Sequence, residues 1–188
     1  MARWQPDARS RLAKAALDLY GEHGYDRTTV AEIAERAGLT KRTFFRHFAD
    51  KREVLFSGSE ELERLIVTGL AAAPPDAAPL DAVMAGLDAT AAMFDERRAF
   101  ATARQAVITA HPELQERELI KLERLTTAIT AALRERGVAE ARALLTARAG
   151  VAIFQVAFGR WATPGARQTL RSLMHAARRD LRDVVLDG

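Results

Sequence analysis

No cysteine occurs among the 188 residues. Disulfides, thiolate metal sites and cysteine nucleophiles are thereby excluded, and the composition fits a reducing cytoplasm. No apolar run reaches the roughly eighteen residues that a membrane span requires, so no membrane partner is expected. The opening stretch, 1-MARWQPDARSR-11, carries charge and a proline and lacks the apolar segment of a secretory signal. Strand-like alternation is scarce and β-branched residues are few. His23, His47, His111 and His175 are scattered, without metal-ligand spacing. No G-x-S-x-G, phosphate-binding glycine loop or H-E-x-x-H is present. An enzyme, a metal site and a bound cofactor are accordingly not expected.

What the chain does contain is alanine, helical periodicity and a lopsided charge. About half of the residues are apolar (48%), enough for a real core at this length. The net charge is only +3, yet residues 1–52 hold eleven Lys/Arg against seven Asp/Glu, and the remaining 136 hold seventeen against eighteen. All the positive excess lies at the start. A basic segment joined to a near-neutral one points to a polyanion-binding part and a part with another task.

The pattern predicts helices throughout. A first helix runs from Ala8 to a stop at Gly24, with Leu12, Ala16, Leu19 and Tyr20 at helical spacing. The stretch 29-TVAE-32 is a capping box opening a short second helix that Gly38 ends. Thr40 caps a third, and Leu39 and Phe44 are spaced as a hydrophobic staple across its start. A fourth helix is expected from about Asp50 to Ala72, before the break 73-APPDAAP-79. Five more follow at 80–95, 97–110, 113–136, 139–162 and 165–185. The fold class is therefore all-α, with about nine helices.

The segment 36-RAGLTKRTFFRHFADKR-52 concentrates six Lys/Arg and three phenylalanines in seventeen residues. At about 100° per residue, Phe44 and Phe48 share one side of the third helix, while Arg42, Thr43 and Arg46 lie opposite. Phe45 and His47 flank them, and Lys41 sits at the tip. Short helix, glycine-containing turn, short helix is the helix-turn-helix arrangement, whose second helix enters the DNA major groove. Arg42 and Arg46, one turn apart, suit guanine O6 and N7. Thr29, Lys51, Arg52 and the amide ends of helices two and four suit phosphates. The plainer reading is a solvated basic face on a helical hairpin; an apolar Phe45 among the arginines and matched caps on both helices weigh against it.

The stretch 12-LAKAALDLYGEHGYDRTTVAEIAERAGLTKRTFFRHFADKREVLF-56 resembles the DNA-binding domain of the TetR family of transcriptional regulators. The likeness is carried by Gly24-Tyr25, the Thr-Thr start and Ile33-Ala34 of the second helix, Ala37-Gly38, Thr43-Phe44-Phe45, His47-Phe48 and Lys51. It implies a three-helix DNA-binding domain, taken as residues 1–52, and a larger helical ligand-binding and dimerisation domain at 53–188. It further implies a homodimer on a near-palindromic double-stranded DNA operator, repressing until a small-molecule effector releases it. By position, family DNA contacts fall on Thr29, Lys41, Arg42, Thr43, Phe45, His47 and Lys51. Two positions depart from the family pattern. Phe45 replaces a usual tyrosine and loses a phosphate-binding hydroxyl, and Arg42 stands where a small residue is common.

Residues 57–188 carry no comparable pattern. Arg104 lies on the apolar stripe of its helix beside Phe100, where it would meet an acidic ligand, snorkel, or pair with a glutamate of a neighbouring helix. Gln155 raises the same question on a heavily apolar helix. Phe94, Phe100, Phe154 and Phe158 are candidates for lining a cavity or for plain core. Val151, Phe154, Phe158 and Trp161 of the eighth helix, with Leu170, Leu173, Met174 and Leu181 of the ninth, form apolar faces. Pattern alone leaves these open between a dimer interface and a monomeric bundle; the resemblance favours the dimer. Helix four, joining the two parts, is the expected lever. The rival readings are a nonspecific nucleic-acid-binding or architectural protein, a cofactor-free enzyme and a protein-interaction adaptor.

Overall fold

Residues 7–163 and 165–186 are described by the computed structural model, and among them the chain forms nine α-helices, one 3-10 turn and no strand. The helices are α1 (Ala8–His23), α2 (Val30–Arg36), α3 (Lys41–His47), α4 (Ser59–Ala71), α5 (Pro79–Glu96), α6 (Arg98–Thr109), α7 (Pro112–Glu135), α8 (Glu140–Trp161) and α9 (Leu170–Leu186). The all-α expectation and the helix count hold. Pro164 of the expected Pro164-Gly165 break lies outside the described residues, as do residues 1–6 of the opening stretch.

Two helix starts differ from the sequence reading, each for a local reason. The Asp50 carboxylate accepts the amides of Arg52 (2.8 Å) and Glu53 (3.1 Å) and starts a 3-10 turn, Glu53–Phe56, so α4 begins only at Ser59. Val54, Leu55 and Phe56 are all buried, and three consecutive buried residues leave no polar face for an amphipathic helix to turn outward. At α9 the start shifts from 165 to 170, because Thr169 supplies the cap by accepting the Ser172 amide at 3.2 Å.

The chain divides into two units, residues 1–59 with 99–118 and residues 60–98 with 119–188. This differs from a boundary at 52, since α6 and the start of α7 join the helix-turn-helix. The reason is a shared core: Leu12, Ile33, Phe44 and Phe48 pack in one cluster with Val54, Leu55, Phe56, Ile108 and Leu114. Burying each such side chain contributes about 1.5–3 kcal/mol. Polar ties fasten the same segments. Arg104 donates to the Leu55 carbonyl (2.5 Å) and to Glu118 (2.7 Å) while its guanidinium lies over the Phe56 ring (5.1 Å), and Arg117 pairs with Glu53. The chain therefore passes between units at 59/60, 98/99 and 118/119, so α4 is one of three connections rather than the single link expected of a lever.

In the second unit α8 packs chiefly against α9 and α5. Ile66, Leu87, Ile129, Leu133, Trp161 and Leu170 are fully buried. Trp161 donates to Asp95 (2.8 Å) and lies under the Arg98 guanidinium (4.9 Å), joining α5 to α8. Asp88 of α5 takes His175 (2.9 Å) and Arg171 (3.1 Å) of α9. A close crossing of α4 and α5 needs Gly86, where a Cβ would strike the Ile66 carbonyl. By length and composition α8 would also suit a membrane span, unlike the sequence expectation; a core helix passes the same test, and eight of its 22 residues are buried here.

Candidate nucleic-acid interface

The recognition element is built from short-range hydrogen bonds on a buried aromatic base. Thr29 accepts the Glu32 amide (3.3 Å) while Glu32 accepts the Thr29 amide (2.7 Å), so the expected capping box is present. At the other end of α2, Gly38 (φ 64) donates to Glu35 and Leu39 donates to Ala34, both at 2.8 Å, which is a Schellman stop. The Arg11 guanidinium reaches across from α1 to the Ala37 carbonyl and holds this turn. Thr40 then accepts the Thr43 amide (3.1 Å) and opens α3. Phe44 is 0% exposed and Phe48 4%. Their rings lie 5.6 Å apart, and they anchor α3 from below.

Outward, α3 presents Lys41, Arg42, Phe45 and Arg46 to solvent, with Thr43 and His47 half-buried. Phe45 is 57% exposed and meets Phe44 edge-on at 5.5 Å. His47 keeps its Nε2 buried, without a hydrogen-bond partner among the described residues. The six cations of 36–52 sort into two groups. Arg36 is held by both carboxylate oxygens of Glu22 (2.8 and 2.7 Å), and Arg52 by Asp50 (2.6 Å). Lys51 donates to the carbonyls of Tyr25 (2.8 Å), Asp26 (3.1 Å) and Thr28 (3.1 Å). Only Lys41, Arg42 and Arg46 have no hydrogen-bond or ion-pair partner among the described residues. Lys51 turns its ammonium donors to its own chain and Arg52 turns Nε and one Nη to Asp50, whereas the sequence reading expects both to meet phosphates. Thr29 is exposed, but its amide and hydroxyl both engage Glu32, so it too is already partnered.

Titration shifts follow from these contacts. Partial burial would raise the Asp50 carboxyl, but hydrogen bonds from the Arg52 side chain and the Glu53 and Arg52 amides outweigh it and hold the group low. Hydrogen bonds from the Thr29 amide and hydroxyl hold Glu32 low as well. Burial pushes the Tyr20 phenol upward, keeping it a donor to the Lys51 carbonyl at 2.7 Å.

The candidate effector residues divide between the two units. Phe100 and Arg104 belong to the first unit, where Arg104 pairs with Glu118, one of the alternatives left open by the sequence. Phe94, Phe154, Phe158 and Trp161 form one aromatic cluster in the second unit at centroid distances of 5.4–6.1 Å, with Phe154 and Trp161 buried and Phe94 and Phe158 half-buried. Gln155 is exposed beside a shallow groove of about 170 Å³ that Val151, Thr126 and Arg148 share. A larger groove of about 580 Å³ lies in the first unit, between Tyr20 and Tyr25 on one side and Ala103 and Val107 of α6 with His111 just beyond it on the other. Nothing in the sequence marked it, since its walls come from segments some eighty residues apart.

Most of the residues expected at a dimer interface are covered by their own unit. Val151, Phe154, Trp161, Leu170, Leu173 and Met174 are buried within their own unit, and Phe158 and Leu181 are half-buried. Both helices face their own core with the stripes that looked available. The apolar surface left uncovered on α8 is Leu144, Leu145 (70% exposed) and Val156 (48%), and on α9 it is Val184, Val185 and Leu186. Arg11 and Glu22, which position the helix-turn-helix, were not singled out from the sequence, and Tyr20 was read only as part of the apolar face of α1.

Residues 12–57 match the model of "Bacterial regulatory proteins, tetR family". Among curated proteins, the chain is similar to the HTH-type transcriptional regulator TcmR of Streptomyces glaucescens, 39% identical over 75 residues, which are 40% of this chain and 33% of that protein. The chain thus spans about a third of the length of that relative. Among solved structures, it is similar to a TetR-family regulator from Syntrophomonas wolfei (TM-score 0.68, 16% identity, 95% of each chain). It is also similar to Thermus thermophilus FadR, a TetR-family repressor solved with lauroyl-CoA (TM-score 0.57, 24% identity, 92% of each chain). At these identities both structures establish the fold alone.

Proposed function

We propose, from the match of residues 12–57 to the model of tetR-family bacterial regulatory proteins, that this chain is a DNA-binding transcriptional regulator of that family. In this reading it binds a near-palindromic operator as a homodimer and represses until a small molecule releases it. The observation that carries the proposal is the set of cations Lys41, Arg42 and Arg46, without a partner among the described residues, arranged around exposed Phe45 on a helix whose aromatic underside is buried. Arg42 and Arg46 each donate two hydrogen bonds to a guanine edge; Lys41, Thr43 and His47 flank them, and Phe45 offers apolar contact to a thymine methyl. A homodimer places two such helices one DNA turn apart, about 34–36 Å. Exposed Leu144, Leu145 and Val156 on α8, with the last turn of α9, support an interface between copies. The effector acts by binding one arrangement of the dimer better than the other, which is all that a ligand can use to shift an equilibrium.

The competing reading is a nonspecific nucleic-acid binder. Competition between an inverted repeat from the DNA beside this chain's gene and random duplex separates the two. A regulator prefers its operator by about 10³-fold or more at physiological salt. Equal binding to both, with a steep salt dependence, would replace the regulator with an electrostatic binder.

A further inference from the structure

We propose that Lys51 is a positioning residue for the helix-turn-helix, contributing to DNA binding by locking the loop before α2 and not by neutralising a phosphate. The inference rests on the DNA-binding reading above and concerns how one residue of that site acts. A lysine ammonium has three N–H donors and no more. Those of Lys51 point to three carbonyls of a single loop, Tyr25 at 2.8 Å and Asp26 and Thr28 at 3.1 Å. The ammonium also lies 4.4 Å from the centroid of the Tyr25 ring, which attracts the cation. The Lys51 backbone is tied as well, since its carbonyl accepts the Tyr20 hydroxyl at 2.7 Å. All three ammonium donors are thereby taken up within the chain.

The loop it closes leads directly into the recognition element. Thr28 is 2% exposed and donates its hydroxyl to the Gly24 carbonyl at 2.8 Å, and the next residue, Thr29, is the cap of α2. Three carbonyl dipoles converging on one point repel one another unless a cation sits among them. Lys51 thus sets where α2 begins and, through the Gly38 turn, where α3 stands. Arginine is a poor substitute, because its planar fork does not place three donors on three converging oxygens.

Two measurements on the full chain decide the matter. The first is backbone amide exchange of residues 25–32 in DNA-free protein, for wild type, Lys51→Arg and Lys51→Met. Both variants should exchange at least tenfold faster there, with α1 unchanged. Wild-type exchange in both overturns the proposal whatever the protein binds, so this arm stands apart from the regulator reading. The second is affinity for the duplex that wild type selects from a random pool, titrated with salt between about 50 and 200 mM. Both variants should bind at least tenfold more weakly, with the slope of log affinity against log salt unchanged, whereas Lys41→Ala should flatten it by about 0.9 if Lys41 meets a phosphate. Wild-type affinity in Lys51→Arg, or a slope flattened by about one unit in Lys51→Met, would make Lys51 a phosphate contact. If wild type selects no duplex at all, the regulator reading fails and the exchange result still settles the role of Lys51 in the loop.

Discussion

The two exposed surfaces of this chain are opposites. On α3, seven residues long, the outward side chains are cations around one phenylalanine. On α8, 22 residues long, the exposed large side chains include Leu144, Leu145 and Val156. The first surface suits a polyanion, whose grip weakens as salt rises; the second suits another apolar face, whose grip does not. They also differ in how they are held. Caps and a glycine turn shape α3, whereas α8 begins after Ala139 with no side-chain cap and depends on the core it fills. A short helix has too few buried residues to set its own ends, so it relies on local hydrogen bonds.

The most damaging way to test the contrast is to charge the apolar side of it. Leu145→Glu should convert a dimer to a monomer in light scattering at micromolar concentration and, with two half-sites no longer linked, weaken operator binding by about 10²-fold or more. A wild-type mass already monomeric would remove the distinction between the two surfaces. Next in size, Arg46→Ala should weaken operator binding by about 1–3 kcal/mol and relax preference at one base pair, read by binding to a panel of single-substituted operators. Uniform weakening across the panel would make Arg46 a phosphate contact. Smaller still, Thr40→Ala removes the cap of α3 and should lower stability by about 1 kcal/mol in thermal denaturation, with Thr40→Gly milder. No equivalent loss is expected from Ala139→Gly, which precedes α8 without a capping side chain.

The smallest effect is on acid stability. Asp50 has a folded-state pKa below its ordinary value of about 3.9, so its contribution is complete above that value and is lost as pH falls through the lower, folded one. Asp50→Asn should flatten the loss of stability below about pH 4, followed by circular dichroism. An unchanged acid profile would mean that the Asp50 contacts with Arg52 and Glu53 persist in the unfolded chain.

The helix-turn-helix was legible because its signals are local. Thr29, Glu32, Gly38, Thr40 and the Phe44–Phe48 pair act within a few residues of one another, and every one of them was found where its spacing put it. Reading failed where the partner lies far along the chain. Lys51 looked like a free cation until the carbonyls some twenty-five residues earlier closed on it. Arg104 was correctly read as facing inward, but its partners Leu55 and Glu118 are not inferable from its own helix. The apolar stripes of α8 and α9 looked like an interface because periodicity reports that a face is buried and not by what. The groove between Tyr20, Tyr25 and Val107 was not legible at all, since grooves are assembled from walls that no spacing rule connects.

The all-helical course, the caps of α2 and α3, the sharp turn before α3 and the excess of positive charge at the start were settled by the order of residues alone, since hydrogen bonds between near neighbours need no other partner. Which cations of residues 36–52 keep no partner among the described residues, which apolar residues stay uncovered and which segments share a core were settled only by folding. Each depends on desolvation by distant elements, and a side chain is exposed or partnered only relative to what packs against it.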